Sequence, residues 1–394
     1  MKKIISLLML IIFILPFNKN VIASEESPDV KAIGAVLMDY ETGRILWGQN
    51  EDEPLAMAST TKIMTAIMAI ESGKLDETVV VSKKAQSAPE VKMHIKAGDE
   101  YTMNDLLYAM MLCSYNDTAV AIAEHLGGSV EEFCNMMTEK AKSLGCKDTV
   151  FKTPNGLDLD DHHSTAEDMA IITAYALKND KFREVIKTPS YTVKGSQTFE
   201  VANKNRLLRE YDGAIGVKTG FTGKAGHCFV GSAKRGDLTL ISVVLGSGWG
   251  NTGKEQKWID TKNILNYGFE NFEKTEVIRE GDFTGNVPVT FSKTNFVETE
   301  VCQSLVIPLS KEEKENIKIQ INLPDSLEAP IKKDTIVGSC EVIINGKKEY
   351  KLNIKVSQDI ERNDIKVSSK KALDIWQKSG DTLLENILKK LEIL

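Results

Sequence analysis

Three short polar clusters carry residue types that can do chemistry together. Ser59 and Lys62 lie three positions apart inside MASTTKIMTA, an otherwise apolar run. On a helix, positions i and i+3 share a face. A serine hydroxyl attacks a carbonyl only when something takes its proton, and a lysine amine can do so once burial disfavours its charge. Met57, Ile63 and Met64 offer the apolar surroundings that this requires. The spacing alone says little, because Ser368 and Lys371 repeat it near the end of the chain. Two further clusters add weight. Ser114-Tyr115-Asn116 is the only SxN and Lys218-Thr219-Gly220 the only KTG in the sequence, following Ser59 in that order at separations of 55 and then 104 positions. A serine beside an amine, a second hydroxyl with an amide, and a lysine with a hydroxyl suit acyl transfer to a serine from a substrate with an anionic end.

The elements that must position these groups are legible from periodicity. AIGAVLMD and RILWGQ flank a turn at Tyr40–Gly43 and read as a hairpin. Helical patterns cover Ser59 to about Ser72, Met103 to Gly127, Ser129 to Leu144, Thr165 to Lys178 and Glu255 to Phe272. Ser114 to Asn116 falls where two helical runs meet, so a turn there presents both side chains. His227–Ala233 and Leu238–Leu245 read as paired strands, with the KTG cluster just before the first. Strands at both ends with helices between predict an α+β domain whose largely antiparallel sheet is assembled from distant segments and flanked by helices. After about Lys274 the pattern changes to short strands of period two, with Asn345-Gly346 as a hairpin turn, and predicts a small all-β sandwich. The last segment, with Leu373, Trp376, Leu383, Leu384, Ile387, Leu388, Leu391 and Leu394 mainly on one stripe and Gly380 as an interruption, reads as an amphipathic helix suited to a membrane interface.

Composition sets the compartment and narrows the partners. The 394 residues exceed one ordinary core. Lys2 and Lys3, the apolar stretch Ile4–Leu15, and small residues before Ser24 form a secretory signal peptide, too short to span a bilayer. Its removal takes three lysines and moves the net charge from −7 to −10, which argues against a nucleic-acid partner. The expected division is therefore a signal peptide at 1–23, a catalytic domain at 24–274, a small all-β domain at 275–365 and a membrane-association helix at 366–394. Cys113, Cys134 and Cys228 sit in apolar runs and read as buried thiols, while Cys302 and Cys340 share a domain and are placed where pairing is open. His162-His163 reads as a surface turn ahead of a helix cap, and neither a metal nor a cofactor is implied.

With the motifs in place, the chain resembles a low-molecular-mass penicillin-binding protein of the D-alanyl-D-alanine carboxypeptidase family. The resemblance runs from about Ala32 to Phe272 and rests on ASTTKIMTA, MLCSYNDTAVAIAE, FKTPNGLD, STAEDMA and KTGFTGKAGHC. It implies a β-lactamase/transpeptidase-like domain, followed by the β domain and a tail that holds the enzyme to the outer face of the cytoplasmic membrane. It implies that Ser59 attacks the carbonyl between two terminal D-alanines of a peptidoglycan stem peptide and forms an acyl-enzyme. Lys62 accepts its proton, Ser114 relays a proton toward the leaving amine, and Asn116 orients Lys62 and the substrate amide. Lys218, Thr219 and Gly220 form the motif that holds the terminal carboxylate, and the Ser59 and Phe221 backbone N–H groups form the oxyanion hole. β-Lactams would acylate the same serine. One departure is visible: the family often has an arginine near the carboxylate site where this chain has Lys257, which supplies charge but no bidentate fork. A class A β-lactamase shares the motifs but needs a carboxylate to activate a deacylating water. No glutamate followed four positions later by asparagine is expected between the SxN and KTG motifs, and the extra β domain and tail also argue against it. DD-endopeptidase and transpeptidase activities remain alternatives, since the acceptor depends on cleft shape.

Overall fold

The computed structural model describes residues 27–391. The expected signal peptide and Leu394 lie outside the described residues, as do the side chains from Gly380 onward. Strands β1 (Gly34–Asp39) and β2 (Ile45–Gln49) form the expected hairpin. They join β3 (Ala214–Thr222), β4 (Gly226–Arg235) and β5 (Leu238–Leu245) in one antiparallel sheet of order β2-β1-β5-β4-β3. The two ends of the domain thus meet in the middle of its sheet, with Gly34 opposite Leu245 and Asp39 opposite Leu240. Strand β5 is buried along its whole length, which is why LTLISVVL reads as a nearly continuous apolar run.

Helices cover both faces. On one side lie α1 (Lys62–Glu71), α2 (Met103–Cys113), α3 (Asn116–Gly127), α4 (Val130–Ser143), α5 (Ala166–Leu177) and α6 (Asp180–Lys187). Their shared core contains Ile63, Met64, Ile67, Leu106, Ile122 and Phe133. On the other side α7 (Gly250–Asn271) packs Trp258, Ile264 and Leu265 against Leu37, Phe229 and Leu240. Helix starts follow their capping residues. Thr102, Ser129 and Thr165 accept backbone N–H groups from Asp105, Glu132 and Asp168. Two differences from the sequence reading bear on the site. The KTG cluster precedes the His227–Ala233 strand as expected but itself lies within edge strand β3, whose glycines and polar residues hid the pattern. The first turn of the Ser59 helix is a 3₁₀ turn, Ala58–Thr61, that hands over to α1 at Lys62.

The second unit comprises β6 (Glu273–Ile278), β7 (Phe283–Thr290), β8 (Phe296–Val301), β9 (Leu305–Leu309), β10 (Lys318–Asn322), β11 (Leu327–Glu328), β12 (Ile336–Ile344) and β13 (Lys347–Val356). A six-stranded sheet of order β10-β12-β13-β8-β7-β11 and the pair β6-β9 enclose Ile307, Leu309, Val342, Ile344 and Ile354. Asn345 and Gly346 both have positive φ, as a two-residue hairpin turn between β12 and β13 requires. All six cysteines are free thiols, so Cys302 and Cys340 do not pair. Helix α8 (Asp364–Leu391) continues through Gly380 without the interruption expected there. Its Leu373 and Trp376 are exposed, and no described helix is long and apolar enough to cross a membrane.

Arg44, at the start of β2, reaches from the first unit into the second. Its Nε donates to Glu349 at 2.8 Å, and its Nη1 donates to the Pro308 carbonyl at 2.6 Å and to Glu313 at 3.0 Å. Lys274 pairs with Glu41 beside it. The Arg44 side chain is only 6% exposed, so its removal leaves acceptors without their partner in a low-dielectric setting. We expect Arg44→Met to cost about 3–5 kcal/mol of stability, read by calorimetry as an earlier unfolding transition of the β domain. Unaltered unfolding would contradict this role.

Candidate active site

The 3₁₀ turn brings Ser59 and Lys62 into line, since i and i+3 eclipse in that geometry. Lys62 Nζ lies 2.9 Å from Ser59 Oγ and donates to Asn116 Oδ1 at 2.8 Å and to the Asn155 carbonyl at 2.6 Å. The lysine is fully buried while Ser59 stays half-buried, so the hydroxyl is the member of the pair that solvent reaches. Burial first, and then the positive charge of Lys218, hold the Lys62 amine well below its ordinary range, against a smaller opposing pull from Asp117. A neutral amine has two N–H groups and one lone pair. The Asn155 carbonyl and Asn116 Oδ1 can only accept, so they take the two N–H groups and leave the lone pair for the Ser59 hydroxyl proton. The arrangement is that of a nucleophile beside its general base.

Asn116 begins α3 and is itself fixed. Its Nδ2 donates to the Pro89 carbonyl at 3.1 Å and its backbone N–H to the Val91 carbonyl at 2.7 Å. Next to it, Asp117 accepts N–H groups from Met93 and His94 at 2.9 and 2.8 Å, fastening the 88–95 loop to this helix. Ser114 caps α2 with φ at +65°, and this left-handed corner separates the two helices and turns the chain between Ser114 and Asn116. Tyr115 between them has the Lys204 ammonium 5.9 Å from its ring centre.

Strand β3 supplies the opposite wall. A Cβ on Gly220 would stand 2.9 Å from the Ser59 nitrogen and 3.1 Å from Ala58 Cβ, so only glycine lets this strand pass so close to the nucleophile's backbone N–H. Phe221 follows, half exposed, its ring centre 4.4 Å from that of His227. Lys218 is buried and its Nζ donates to the Thr219 carbonyl at 3.0 Å. Desolvation, then Lys204, bring its amine down to about 7, with a smaller contribution from Lys257. Lys257 is 7% exposed, 3.4 Å from His227 Nδ1, and brought down to about 8 mainly by burial. Two buried amines therefore lie at one end of the cleft, and a bound carboxylate would restore their charge.

The sequence reading missed a fourth component. The 152–162 loop carries Asn155, whose carbonyl accepts from Lys62 Nζ at 2.6 Å and lies 3.2 Å from Ser59 Oγ. The loop is braced by Thr65 Oγ1 donating to the Pro154 carbonyl at 2.6 Å and Thr222 Oγ1 donating to Asp158 at 2.8 Å. A backbone acceptor leaves no mark in residue type, and only the turn residues Pro154-Asn155-Gly156 could have signalled it. His162, expected on a surface turn, is buried beneath the nucleophile's turn, because its ring satisfies polar groups there; His163 is half-buried and pairs with Asp148 at 3.0 Å. Among the described residues no cluster of His, Cys, Asp and Glu could hold a metal ion. Glu131 and Asn135 do have the four-residue spacing associated with a deacylating glutamate in class A β-lactamases, contrary to expectation, but both are exposed on α4.

Gly156, at φ +83°, is as constrained as Gly220, since a Cβ there would lie 1.9 Å from the Ala58 carbonyl oxygen. We expect Gly156→Ala to displace either the loop or the nucleophile and to lower the labelling rate by a fluorescent penicillin about 10²-fold. A wild-type rate would contradict the tight packing of loop on turn.

Comparison with known proteins agrees with this geometry. A family profile described as D-alanyl-D-alanine carboxypeptidase matches residues 21–248, and one described as the C-terminal domain of penicillin-binding protein 5 matches 272–362. The D-alanyl-D-alanine carboxypeptidase DacF of Bacillus subtilis is 32% identical over 96% of this chain and 100% of its own. DacC of Escherichia coli is 32% identical over 89% of this chain and 90% of its own. Penicillin-binding protein 5 from Haemophilus influenzae superposes with a TM-score of 0.72 at 30% identity, covering 85% of this chain and 99% of that one.

Proposed function

The chain belongs to the D-alanyl-D-alanine carboxypeptidase family, a family of serine peptidases, and from that premise we propose how its own residues do the work. The enzyme removes the terminal D-alanine from peptidoglycan stem peptides. Ser59 Oγ attacks the carbonyl between the two D-alanines while Lys62 Nζ takes its proton. The negative charge that develops on the carbonyl oxygen is met by the N–H groups of Ser59 and Phe221, whose approach Gly220 permits. The C–N bond breaks as the leaving amine receives a proton by way of Ser114. Water then adds to the acyl-enzyme, and the serine recovers its proton as the shortened peptide departs. Lys218, Thr219 and Lys257 hold the terminal carboxylate of the incoming substrate. The single observation that carries this reading is the buried Lys62 amine 2.9 Å from Ser59 Oγ, with two acceptor-only oxygens holding it.

The remaining segments suggest where this happens. We propose that residues 1–23 export the chain and that 24–274 carry the chemistry at the outer face of the cytoplasmic membrane. Residues 275–365 would stand it off the bilayer, and the helix at 366–394 would lie in the interface through Leu373, Trp376 and the apolar residues after them. We expect removal of 366–394 to shift the protein from pelleting with anionic lipid vesicles to the supernatant; equal pelleting of both forms would contradict this.

For the chemistry, benzylpenicillin is expected to add its mass to the peptide containing Ser59, and Ser59→Ala to abolish the adduct. Lys62→Met is expected to slow acylation by about 10²–10⁴-fold. The pH dependence follows from the amines. The reaction needs Lys62 deprotonated, so kcat/KM rises with pH on its acid limb. It needs Lys218 and Lys257 protonated, so kcat/KM falls as pH passes through about 7 to 8. Bound substrate carboxylate favours the charged amines, so the alkaline limb of kcat lies at higher pH than that of kcat/KM. Coincident alkaline limbs, measured as D-alanine release, would contradict the carboxylate assignment.

A further inference from the structure

His162 is buried beside the reacting groups, yet the scheme above gives it no task. Its ring nitrogens both have partners. Nδ1 accepts the backbone N–H of Lys152 at 3.0 Å. In the neutral ring this places the proton on Nε2, which lies 3.1 Å from Thr61 Oγ1 and donates to it. Thr61 Oγ1 in turn donates to the Ala58 carbonyl at 2.8 Å. Donation therefore runs one way, from the start of the 152–162 loop to the residue just before the nucleophile. Burial is the main reason the ring stays neutral; Asp158 favours its charged form, and His163 and Lys224 oppose it.

Both ends of this chain of donors bear on the reacting atoms. The loop end carries the Asn155 carbonyl, which accepts from Lys62 Nζ and lies 3.2 Å from Ser59 Oγ. At the other end, Ala58 has φ at +48°, a left-handed conformation that a residue with a side chain adopts at some cost. That conformation sets where the next residue, Ser59, points its N–H and its hydroxyl. We propose that His162 is a positioning residue for acyl transfer, one that clasps the 152–162 loop to the nucleophile's turn and so fixes the Asn155 carbonyl against the Ser59–Lys62 pair. The proposal rests on Ser59 as nucleophile and Lys62 as its base. His162 touches neither Ser59 nor Lys62 directly and acts through Thr61, Ala58 and the loop.

The test compares the full chain with His162→Ala, His162→Gln and Thr61→Val. Folding is followed by circular dichroism melts. Acylation by a fluorescent penicillin is followed across concentrations, giving a maximal rate and a half-saturating concentration. His162→Ala and Thr61→Val should each lower the maximal rate about 10²-fold, with half-saturation unchanged. Glutamine can accept from Lys152 through its carbonyl and donate to Thr61 through its amide, so His162→Gln should recover most of the rate. A folded His162→Ala or Thr61→Val that reacts at the wild-type rate would overturn the proposal, as would a glutamine variant no faster than alanine. If His162→Ala does not fold, Thr61→Val decides by its rate, and a folded His162→Gln slowed as much as Thr61→Val would overturn the proposal. A wild type that is never labelled would instead overturn the nucleophile assignment beneath it.

Discussion

Everything in the first domain serves one constraint: a lysine amine must stay dry and uncharged beside a serine that solvent can reach. Removing Lys62 from water is costly in its charged form, and a second positive group at Lys218 adds to that cost. The protein meets this with a core that closes around α1 on all sides and with oxygens that take the amine's two N–H groups. Each oxygen comes from a different part of the chain. Asn116 arrives on α3 and Asn155 on a loop between α4 and α5, so the base exists only when the helical layer is assembled.

The sheet has a complementary duty. Its central strands are covered on both faces and supply rigidity, while edge strand β3 brings Gly220 against the nucleophile's backbone and places Lys218 in the cleft wall. Lys218 thereby bears on both halves of the proposed chemistry. Its buried amine depresses Lys62 before substrate arrives, and a substrate carboxylate would neutralise its charge once bound. Lys257 extends the same logic from α7, where burial beside His227 gives a compact amine in place of a planar guanidinium.

The sequence revealed the side chains proposed to react and the elements that carry them. Ser59, Lys62, Ser114, Asn116 and the KTG residues were readable because their chemistry lies in residue type and order. Paired strands β4 and β5 were readable as nearly continuous apolar runs, because both faces are buried, and helices α4 and α5 by their helical pattern and caps. The rest was hidden for physical reasons. Strand β3 is interrupted by Gly216 and Gly220, which suit close approach rather than strand propensity. Asn155 contributes through its backbone, which has no sequence signature. His162 sits in a loop crowded with Asp158, Asp160 and Asp161 and so looks solvated, although its ring is buried. The burial of Lys257 was hidden because α7 is polar along most of its length.

The charge state of Lys62 tests this account most directly. Protein carrying ¹⁵N-labelled lysine side chains, compared with the Lys62→Met variant, would identify the resonance lost and follow it through a pH titration. The Lys62 amine is expected to lose its proton far below the ordinary lysine value of 10.5. A Lys62 resonance that titrates near that ordinary value would contradict it, because a charged ammonium cannot accept the proton of Ser59.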